Sequence, residues 1–202
     1  MILNVIMMTN MWILGSHNSW SYLPSKKWWM TPFKFIAKCQ DLTIIEQYNL
    51  GVRCFDLRVR FNKKGELLVC HGFMQYDIDK NNLYSDLEWL SNKRDVYIRI
   101  LHEARNRKQY NSLSVKKFKE LCIDFVNKFS GIKFWCGKNL YDWTDDFEFY
   151  HYPTCEEKYS SVCSPKLIDD WYPRLFAKLN NKKLINKGTD KDILLIDFVN
   201  YQ

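Results

Sequence analysis

Four polar side chains in this sequence end or interrupt apolar segments, and their chemical types suit acid–base chemistry at a charged group. His17 follows the segment ILGS, and His71 follows LLVC. Arg58 lies inside CFDLRVRF, and Asp197 lies inside ILLIDFV. Imidazoles titrate near neutral pH, so two of them can act as base and acid in one turnover. A guanidinium presents a fork of donors that matches the oxygens of a phosphate.

The segment VRCFDLRVRF alternates between two sets of side chains and predicts a β-strand. Phe55, Leu57 and Val59 would face covering helices, while Asp56 and Arg58 would point together to the opposite face. An unpaired buried arginine is very costly, so Arg58 needs a carboxylate or a phosphate as its partner. Two interpretations follow: an internal ion pair with Asp56 that involves no substrate, or a guanidinium aimed at a substrate phosphate.

Each of the two histidines stands where a strand ends and a loop begins. Gly72, directly after His71, allows a sharp turn and leaves room beside the imidazole. A single histidine at a strand end is usually structural, but two at matching strand ends favour a site. Asp197 shares a face with Ile193 and Leu195 in an apolar strand, where a carboxylate needs a partner. Orienting a neighbouring imidazole would supply that partner.

Strands and helices alternate along the chain and must position these side chains. Further strands are predicted at ELLVCHG, DVYIRIL, IKFWC, FEFYHY and residues 192–199. One helix is predicted over residues 33–49, with Gly51 after its end. A second helix is predicted with Ser114 as its cap and Gly131 as its end.

A last helix is predicted to open at Ser164-Pro165, and Pro173 kinks or ends it. This alternation predicts an α/β fold in a single domain over residues 1–202. We expect a small (β/α) barrel of the TIM type, distorted or incomplete, in preference to an open sheet. Sites in such barrels lie at the carboxyl ends of strands, which is where the unusual polar residues fall here.

The formal net charge is +7, from 30 basic and 23 acidic residues. A basic surface of this kind attracts nucleic acid, anionic lipid or phosphorylated substrates without choosing among them. No nucleic-acid motif accompanies the charge, and the aromatic residues fall mostly at core-like spacing. Nucleic acid is therefore not an expected partner.

Several of the seven cysteines lie inside apolar segments, where a thiol behaves as a small buried hydrophobe. This favours reduced thiols and a reducing compartment, although Cys155 and Cys163 could pair or bind a metal. No segment reaches the ~20 apolar residues of a membrane span, and the N-terminal segment lacks the basic region of a signal peptide. We expect a soluble protein, cytoplasmic or peripheral at a membrane surface, and make no prediction of its oligomeric state.

Four segments in order, ILGSHNSW, LGVRCFDLRVRF, LLVCHG and ILLIDFV, resemble the X-type catalytic domain of phosphatidylinositol-specific phospholipase C. The similarity covers residues 12–72 and returns at 192–199, while the middle matches only in its strand–helix rhythm. The resemblance implies a distorted (β/α) barrel that acts on phosphatidylinositol or a related anionic lipid. The products would be inositol 1,2-cyclic phosphate and diacylglycerol.

The same resemblance implies a role for each of the four polar residues. His17 would be the general base that takes the proton of the inositol 2-hydroxyl, and Asp197 would hold that imidazole. Arg58 would bind the phosphate and neutralise the charge that develops on it. His71 would be the general acid that protonates the diacylglycerol leaving oxygen.

Two positions separate this sequence from the branches of that family. Metal-independent bacterial members usually have Asp after the first His, so Asn18 would leave His71 less well supported. Calcium-dependent members need carboxylates at Asp56 and at the position of Arg58, and an acid in the third strand, where YIRIL offers none. A guanidinium would repel Ca²⁺, so we expect no metal and no cofactor.

Asn18 and Asp56 are thus predicted to support the site, and Trp171 and Tyr172 either stack on the inositol ring or pack a helix. The tryptophans of KKWWM either touch a membrane or lie buried beneath a loop. HEARN begins like a zinc-protease helix, but Asn106 stands where the second His belongs.

Two other functions compete with this one. A glycerophosphodiesterase or a sphingomyelinase D-like enzyme would share the two histidines, but it needs an acidic metal cluster that Arg58 disrupts. A phosphoinositide-binding protein would keep the pocket and lack turnover, as Asn18 and the short chain suggest.

Overall fold

The computed structural model describes residues 13–104, 111–140, 159–161, 172–187 and 193–202. Within these ranges the strands are β1 (Ile13–Ser16), β2 (Cys54–Phe61), β3 (Leu67–His71), β4 (Met74–Gln75), β5 (Val96–Ala104), β6 (Ile132–Leu140), β7 (Tyr159–Ser161) and β8 (Ile193–Ile196). The α-helices are α1 (Lys34–Ala37), α2 (Ile44–Asn49), α3 (Lys80–Ser91), α4 (Ser112–Lys128) and α5 (Pro173–Lys187). Short 3₁₀ helices span Ser19–Tyr22, Trp28–Phe33 and Val199–Tyr201.

The described strands form one sheet whose parallel neighbours follow the order β6-β5-β2-β1-β8-β7. β3 pairs antiparallel with the end of β2, and β4 extends that hairpin. Among these strands no pairing joins β6 to β7, so the sheet is not closed. The predicted α/β fold is confirmed, in its incomplete rather than its closed form.

β2 lies inside the sheet because its sequence is suited to burial on both faces. Phe55, Leu57 and Val59 are fully buried in the apolar core. Asp56 and Arg58 alternate with them and lie on the other face, also buried. The alternation predicted for this segment is therefore correct, and it places two charges on the buried face that leads to the candidate site.

The helices α3 and α4 cover the apolar face of the sheet. Leu83, Leu87 and Leu90 of α3 are buried there, as are Phe118 and Phe125 of α4. The sequence analysis misses α3, because polar residues fill most of its 12 positions and leave only a narrow apolar stripe. The side of the sheet opposite the charged pair is thus closed by leucine and phenylalanine packing.

The N-cap of α4 is Asn111 rather than Ser114. The Asn111 side chain accepts a hydrogen bond from the Ser114 backbone N–H at 3.0 Å, and the Ser114 hydroxyl accepts one from the Asn111 N–H at 3.1 Å. This reciprocal pair is a capping box, in which Ser114 occupies the third helical position.

A single helix over 33–49 is wrong. α1 ends at Ala37, and α2 begins only after Thr43, whose side chain forms a capping box with Glu46. Residues 38–43 connect the two helices and pass the carboxyl ends of β1 and β8. The apolar residues that suggested one helical stripe do not form one, because Cys39 and Leu42 lie between the two helices and Ile45 is 45% exposed.

Two further boundaries concern Pro173 and the segment HEARN. Pro173 begins α5, because proline is well suited to the first helical position, where its missing N–H is not needed, and the helix predicted before it lies outside the described residues. β5 continues to Ala104, so the HEA of HEARN is strand and not the start of a zinc-protease helix. Outside the described residues lie Ser164-Pro165, Asn106, the segment FEFYHY, Cys155 and Cys163.

The described part of the chain contains no helix long and apolar enough to cross a membrane. Four cysteines whose side chains the structure describes are buried, as the prediction of structural thiols requires: Cys39, Cys54, Cys70 and Cys122. A single domain over residues 1–202 and a cytoplasmic or peripheral location stay predictions.

His102 on β5 gives the core a titratable group. Its ring stacks on Phe118 at 5.1 Å between centroids and lies 5.9 Å from that of Phe61. Burial lowers the pKa of His102 to about 4, from an ordinary value of 6.5. Between these two values the unfolded chain takes up a proton that the folded chain does not, so the free energy of unfolding falls as the pH falls.

We expect the His102→Phe variant to lose part of this acid sensitivity. From the two pKa values, His102 accounts for about 2 kcal/mol of the stability lost between pH 7 and pH 5. Urea unfolding at both pH values measures the loss in each protein. An equal loss in the variant and the wild-type chain would show that His102 does not titrate as described.

Candidate active site

The candidate site lies at the carboxyl ends of β1 and β8, where the chain leaves the sheet. Ser16 pairs with Ile196 in parallel register, so the next residue of each strand, His17 and Asp197, lies beside the other. His17 Nδ1 is 2.7 Å from Asp197 Oδ1. The sequence analysis placed Asp197 inside its strand, but β8 ends one residue earlier, and this frees the carboxylate to reach the imidazole.

His71, at the end of β3, completes a pair of imidazoles. The ring centroids of His17 and His71 are 5.4 Å apart, and the rings are nearly perpendicular. His17 is 5% exposed, whereas His71 is partly exposed and lies on the solvent side of the pair. The two rings are therefore close enough to act on a single small group bound between them.

Arg58 fixes the tautomer of His17. Its Nη2 hydrogen-bonds the His17 Nε2, and a guanidinium can only donate, so Nε2 accepts. The proton of the neutral ring is consequently on Nδ1, from which it is donated to Asp197. The lone pair that could take a proton from a substrate thus points toward the guanidinium.

The rest of the Arg58 guanidinium is held by two carboxylates. Nε donates to Asp56 Oδ2 at 2.9 Å, and Nη1 donates to Glu103 Oε2 at 3.2 Å. Burial alone would lower the pKa of Arg58, but the two carboxylates outweigh it and raise the pKa well above its ordinary value. The predicted ion pair with Asp56 therefore exists, and one end of the guanidinium still reaches the imidazole of His17.

Asp56 joins three elements of the site. Its Oδ1 accepts from Arg99 Nε at 2.7 Å, and its Oδ2 also accepts from the Asn18 backbone N–H at 2.9 Å. Burial would raise the pKa of Asp56, but Arg99 and Arg58 outweigh it and hold the pKa well below its usual range. Asp56 is thus a permanent charge that positions Arg58, and its supporting role in a catalytic site stays a prediction.

Sequence analysis missed Glu103, which is 2% exposed and also accepts from the backbone N–H of Gly72. Burial would raise its pKa, but Arg58 and His71 outweigh it and keep the pKa below its ordinary value. The statement that the third strand offers no acid is wrong, because β5 extends to Ala104. Extending the period-2 alternation of Arg99 and Leu101 by two residues would have found it.

Gln40 was also missed, and it connects the ends of the two central strands. Its Nε2 donates to the backbone oxygens of His17 and Ile196, at 3.0 and 2.9 Å. Its Oε1 accepts from the Val199 N–H at 3.1 Å. From α5, Asn181 donates to the Asp197 carbonyl at 2.7 Å. These amides hold the backbone of His17 and Asp197, and no motif in the sequence marks them.

Backbone conformation turns the chain sharply after both residues. Asn18 and Phe198 directly follow His17 and Asp197, and both adopt the left-handed region, with φ of 46° and 47°. Asparagine tolerates this region, whereas for a bulky residue such as Phe198 it costs about 1–2 kcal/mol. The strain is concentrated where the pair of side chains must face each other.

Asn18 supports His71 only indirectly. Asn18 Nδ2 donates to the Tyr76 hydroxyl at 3.2 Å, and that hydroxyl donates to the Ala37 carbonyl at 2.8 Å. The same carbonyl lies 3.0 Å from His71 Nδ1. The His71 imidazole is therefore supported by the carbonyl oxygen of Ala37 and not by a direct contact with Asn18.

The aromatic residues proposed for substrate contact are placed less centrally. Tyr172 is 54% exposed, and its ring stacks on Phe35 at 6.3 Å between centroids. Trp171 lies outside the described residues. In KKWWM the tryptophans are exposed, Trp28 to 83% and Trp29 to 53%, so the alternative of a buried pair is wrong.

The hard-cation ligands that calcium would need are already engaged. The oxygens of Asp56 and Glu103 accept from guanidiniums and backbone amides, and Arg58 lies between the two carboxylates. A bound Ca²⁺ would have to displace this internal cation. The donor set therefore does not fit calcium.

Comparison with known proteins finds similar structures but no similar sequences. No family model and no curated protein matches the sequence. The phosphatidylinositol-specific phospholipase C from Listeria monocytogenes aligns with a TM-score of 0.60 and 14% identity, over 92% of this chain and 87% of its own. A double mutant of the Staphylococcus aureus enzyme aligns with a TM-score of 0.57 and 15% identity, over 94% and 86%.

Another Staphylococcus aureus structure is 24% identical, but it matches over 57% of this chain and 37% of its own, with a TM-score of 0.42. The two longer alignments show the fold, and the recognition made from the four sequence segments is confirmed at that level. This chain has the α/β fold of the bacterial phosphatidylinositol-specific phospholipases C.

Proposed function

We propose that this protein is a phosphodiesterase that cleaves phosphatidylinositol to inositol 1,2-cyclic phosphate and diacylglycerol. The observation that carries the proposal is the meeting of two imidazoles, 5.4 Å apart, with a buried guanidinium that contacts one of them. The substrate class follows from the fold shared with enzymes named for phosphatidylinositol. The roles of His17, Arg58, His71 and Asp197 are those predicted from the sequence.

The first step requires Arg58 to leave the lone pair of His17. A substrate phosphate competes for Nη2 of Arg58, because a charge-assisted bond to phosphate is stronger than one to a neutral imidazole. Nε2 of His17 is then available to take the proton of the inositol 2-hydroxyl. The cation that forms is stabilised by Asp197, 2.7 Å from Nδ1. Substrate binding and activation of the base are thus coupled through one guanidinium.

The second proton transfer falls to His71. As the 2-oxygen bonds to phosphorus, the bond from phosphorus to the diacylglycerol oxygen breaks, and the imidazolium of His71 protonates that oxygen. Burial and the charge of Arg58 lower the pKa of His71, while Glu103 and the Ala37 carbonyl act in the opposite direction. A lowered pKa makes the imidazolium a stronger acid but reduces its population at neutral pH.

We propose that the reaction needs no metal ion. Arg58 supplies the positive charge beside the phosphate, and its two carboxylate partners, Asp56 and Glu103, hold it there. A metal-dependent phosphodiesterase would need those carboxylates for its ion. The guanidinium would thus supply the charge neutralisation of phosphoryl transfer, in which positioning and electrostatics supply most of the catalysis.

The exposed aromatic residues near α1 give the enzyme a surface for lipid. Trp28, Trp29, Phe33 and Phe35 are each more than half exposed, and Lys27 lies over the Trp29 ring at 5.4 Å. Tryptophan and lysine together suit the interface of an anionic bilayer. The same segment leads directly to Ala37, whose carbonyl contacts His71, so a membrane bound here would present its headgroups close to the imidazoles.

The His17→Ala and His71→Ala variants are expected to lose turnover by about 10²–10⁴-fold each, because each removes one proton transfer. The measurement is release of inositol 1,2-cyclic phosphate from phosphatidylinositol vesicles, followed by ³¹P NMR. The matched control is His102→Phe, which removes a core histidine outside the site. Undiminished product release from either site variant would contradict the assigned roles.

Addition of EDTA to the same assay separates the competing functions. Unchanged turnover supports metal-independent chemistry. Turnover abolished by EDTA supports a metal-dependent phosphodiesterase, and vesicle binding without any turnover supports a phosphoinositide-binding protein.

The Glu103→Gln variant is expected to lower the pKa of His71 further, because it removes a negative charge that raises that pKa. Titration of the His71 ring by NMR measures the shift directly. A merely structural role of Glu103 would leave the pKa of the folded variant unchanged. Glu88→Gln, at an exposed position of α3, is the control for loss of a distant carboxylate.

The Trp28→Ala variant is expected to bind anionic vesicles about tenfold or more weakly, since burying one large apolar side chain contributes about 1.5–3 kcal/mol. Sedimentation with phosphatidylinositol vesicles measures the partition coefficient. Leu113→Ala removes an exposed apolar side chain from α4 and should leave binding unchanged. Equal binding by Trp28→Ala and the wild-type chain would exclude this surface.

A further inference from the structure

Cys39 lies among the proposed catalytic residues, although the mechanism gives it no role. One ligand atom each of His17, Cys39 and Asp197 lies within 4.8 Å of the others. The Cys39 Sγ is also 3.8 Å from His71 Nδ1. Cys39 is 1% exposed, and the side chain of Asp197 is 11% exposed. A thiol, an imidazole and a carboxylate therefore converge at one point beside the base.

The backbone around Cys39 is fixed before any ligand arrives. The Cys39 N–H donates to the Ser21 hydroxyl at 2.9 Å, and the Cys39 carbonyl accepts from the Phe198 N–H at 2.5 Å. His17 and Asp197 are held by the pairing of their strands and by Gln40. The three side chains thus stand on separate parts of the chain that are connected to one another by hydrogen bonds.

We propose that His17, Cys39 and Asp197 form a binding site for Zn²⁺ that inhibits the enzyme. Thiolate, imidazole and carboxylate are the three ligand types of protein zinc sites, and the thiolate excludes hard cations such as Ca²⁺ and Mg²⁺. With metal–ligand bonds of about 2.0–2.3 Å, tetrahedral ligand atoms lie roughly 3.3–3.8 Å apart. The observed cluster needs only small side-chain rotations to reach that spacing, and water takes the fourth position.

The charges of the site favour the Nδ1 side of His17. Asp197 lies at Nδ1, while Arg58 lies at Nε2, so an ion bound at Nδ1 has the imidazole ring between itself and the guanidinium. Binding converts the Cys39 thiol to a thiolate and releases its proton to solvent. The thiolate and the carboxylate of Asp197 together balance the two charges of the ion.

Coordination at Nδ1 changes what His17 can do. The proton of the neutral ring moves to Nε2, so the atom that would accept the substrate proton becomes a donor, and Arg58 Nη2, which can only donate, has to turn away from it. The base is then blocked without any change in the fold. This inhibitory effect rests on the proposed function, whereas the binding of the ion does not.

Co²⁺ absorption tests the binding alone, because a thiolate bound to Co²⁺ gives a charge-transfer band in the near ultraviolet. Titration of the metal-free protein with Co²⁺ is expected to produce this band, and Zn²⁺ is expected to remove it. The Cys39→Ala variant should lose the contribution of one thiolate, while Cys122→Ala, a buried cysteine of α4, should keep it. The same band in Cys39→Ala as in the wild-type chain would overturn the site.

Turnover of phosphatidylinositol tests the inhibition. Zn²⁺ should inhibit the wild-type protein and Cys122→Ala, with recovery on adding EDTA. The Zn²⁺ concentration that halves the turnover of Cys39→Ala, relative to that variant's own basal rate, should be at least about tenfold higher than for the wild-type protein. If the wild-type protein shows no turnover, the proposed function fails and the Co²⁺ spectra still decide the metal site. Thermal unfolding verifies that each variant is folded, and Cys39→Ser serves as a variant closer in size to cysteine.

Discussion

The burial of the Arg58 guanidinium is the constraint on which the rest of the site depends. A charge that is only 7% exposed must have partners, and here they come from β2 itself and from the neighbouring β5. Because Asp56 and Glu103 satisfy two of its nitrogens, the third can face the imidazoles. Removing either carboxylate would leave a buried charge with fewer partners. The strands therefore have to keep their register for the site to exist at all.

This constraint connects parts of the chain that are distant in sequence. Asp56 accepts from Arg99 on β5 and from the backbone after His17, while Glu103 accepts from the backbone after His71. Asp56 and Glu103 thus position the backbone that follows His17 and His71. They also hold the guanidinium of Arg58. The same two carboxylates therefore determine both the charges and the geometry of the site. A change in one of them alters the orientation of a loop and the pKa of a histidine ring.

How much of the site could be predicted depended on whether a residue stood out from its neighbours. His17, Arg58, His71 and Asp197 end or interrupt apolar segments, where a polar or charged group needs a partner, so the sequence marks them. Glu103 lies beyond the apolar run that was predicted as its strand, within the segment HEARN. The α/β class followed from the alternation of elements, but whether the sheet closes depends on pairing between strands distant in sequence, which no local pattern shows.

Gln40 and Cys39 were not predictable for a further reason: they lie in a segment that looks helical by its spacing. Residues 33–49 form two short helices instead of one, because the intervening residues gain hydrogen bonds to the ends of β1 and β8 that a continuous helix would forgo. Once Gln40 is fixed between the ends of β1 and β8, Cys39 has little freedom to lie elsewhere. The position of the Cys39 thiol beside His17 is therefore a consequence of how the strand ends are connected. A metal ion bound by Cys39 would therefore be held by the same part of the chain that positions His17.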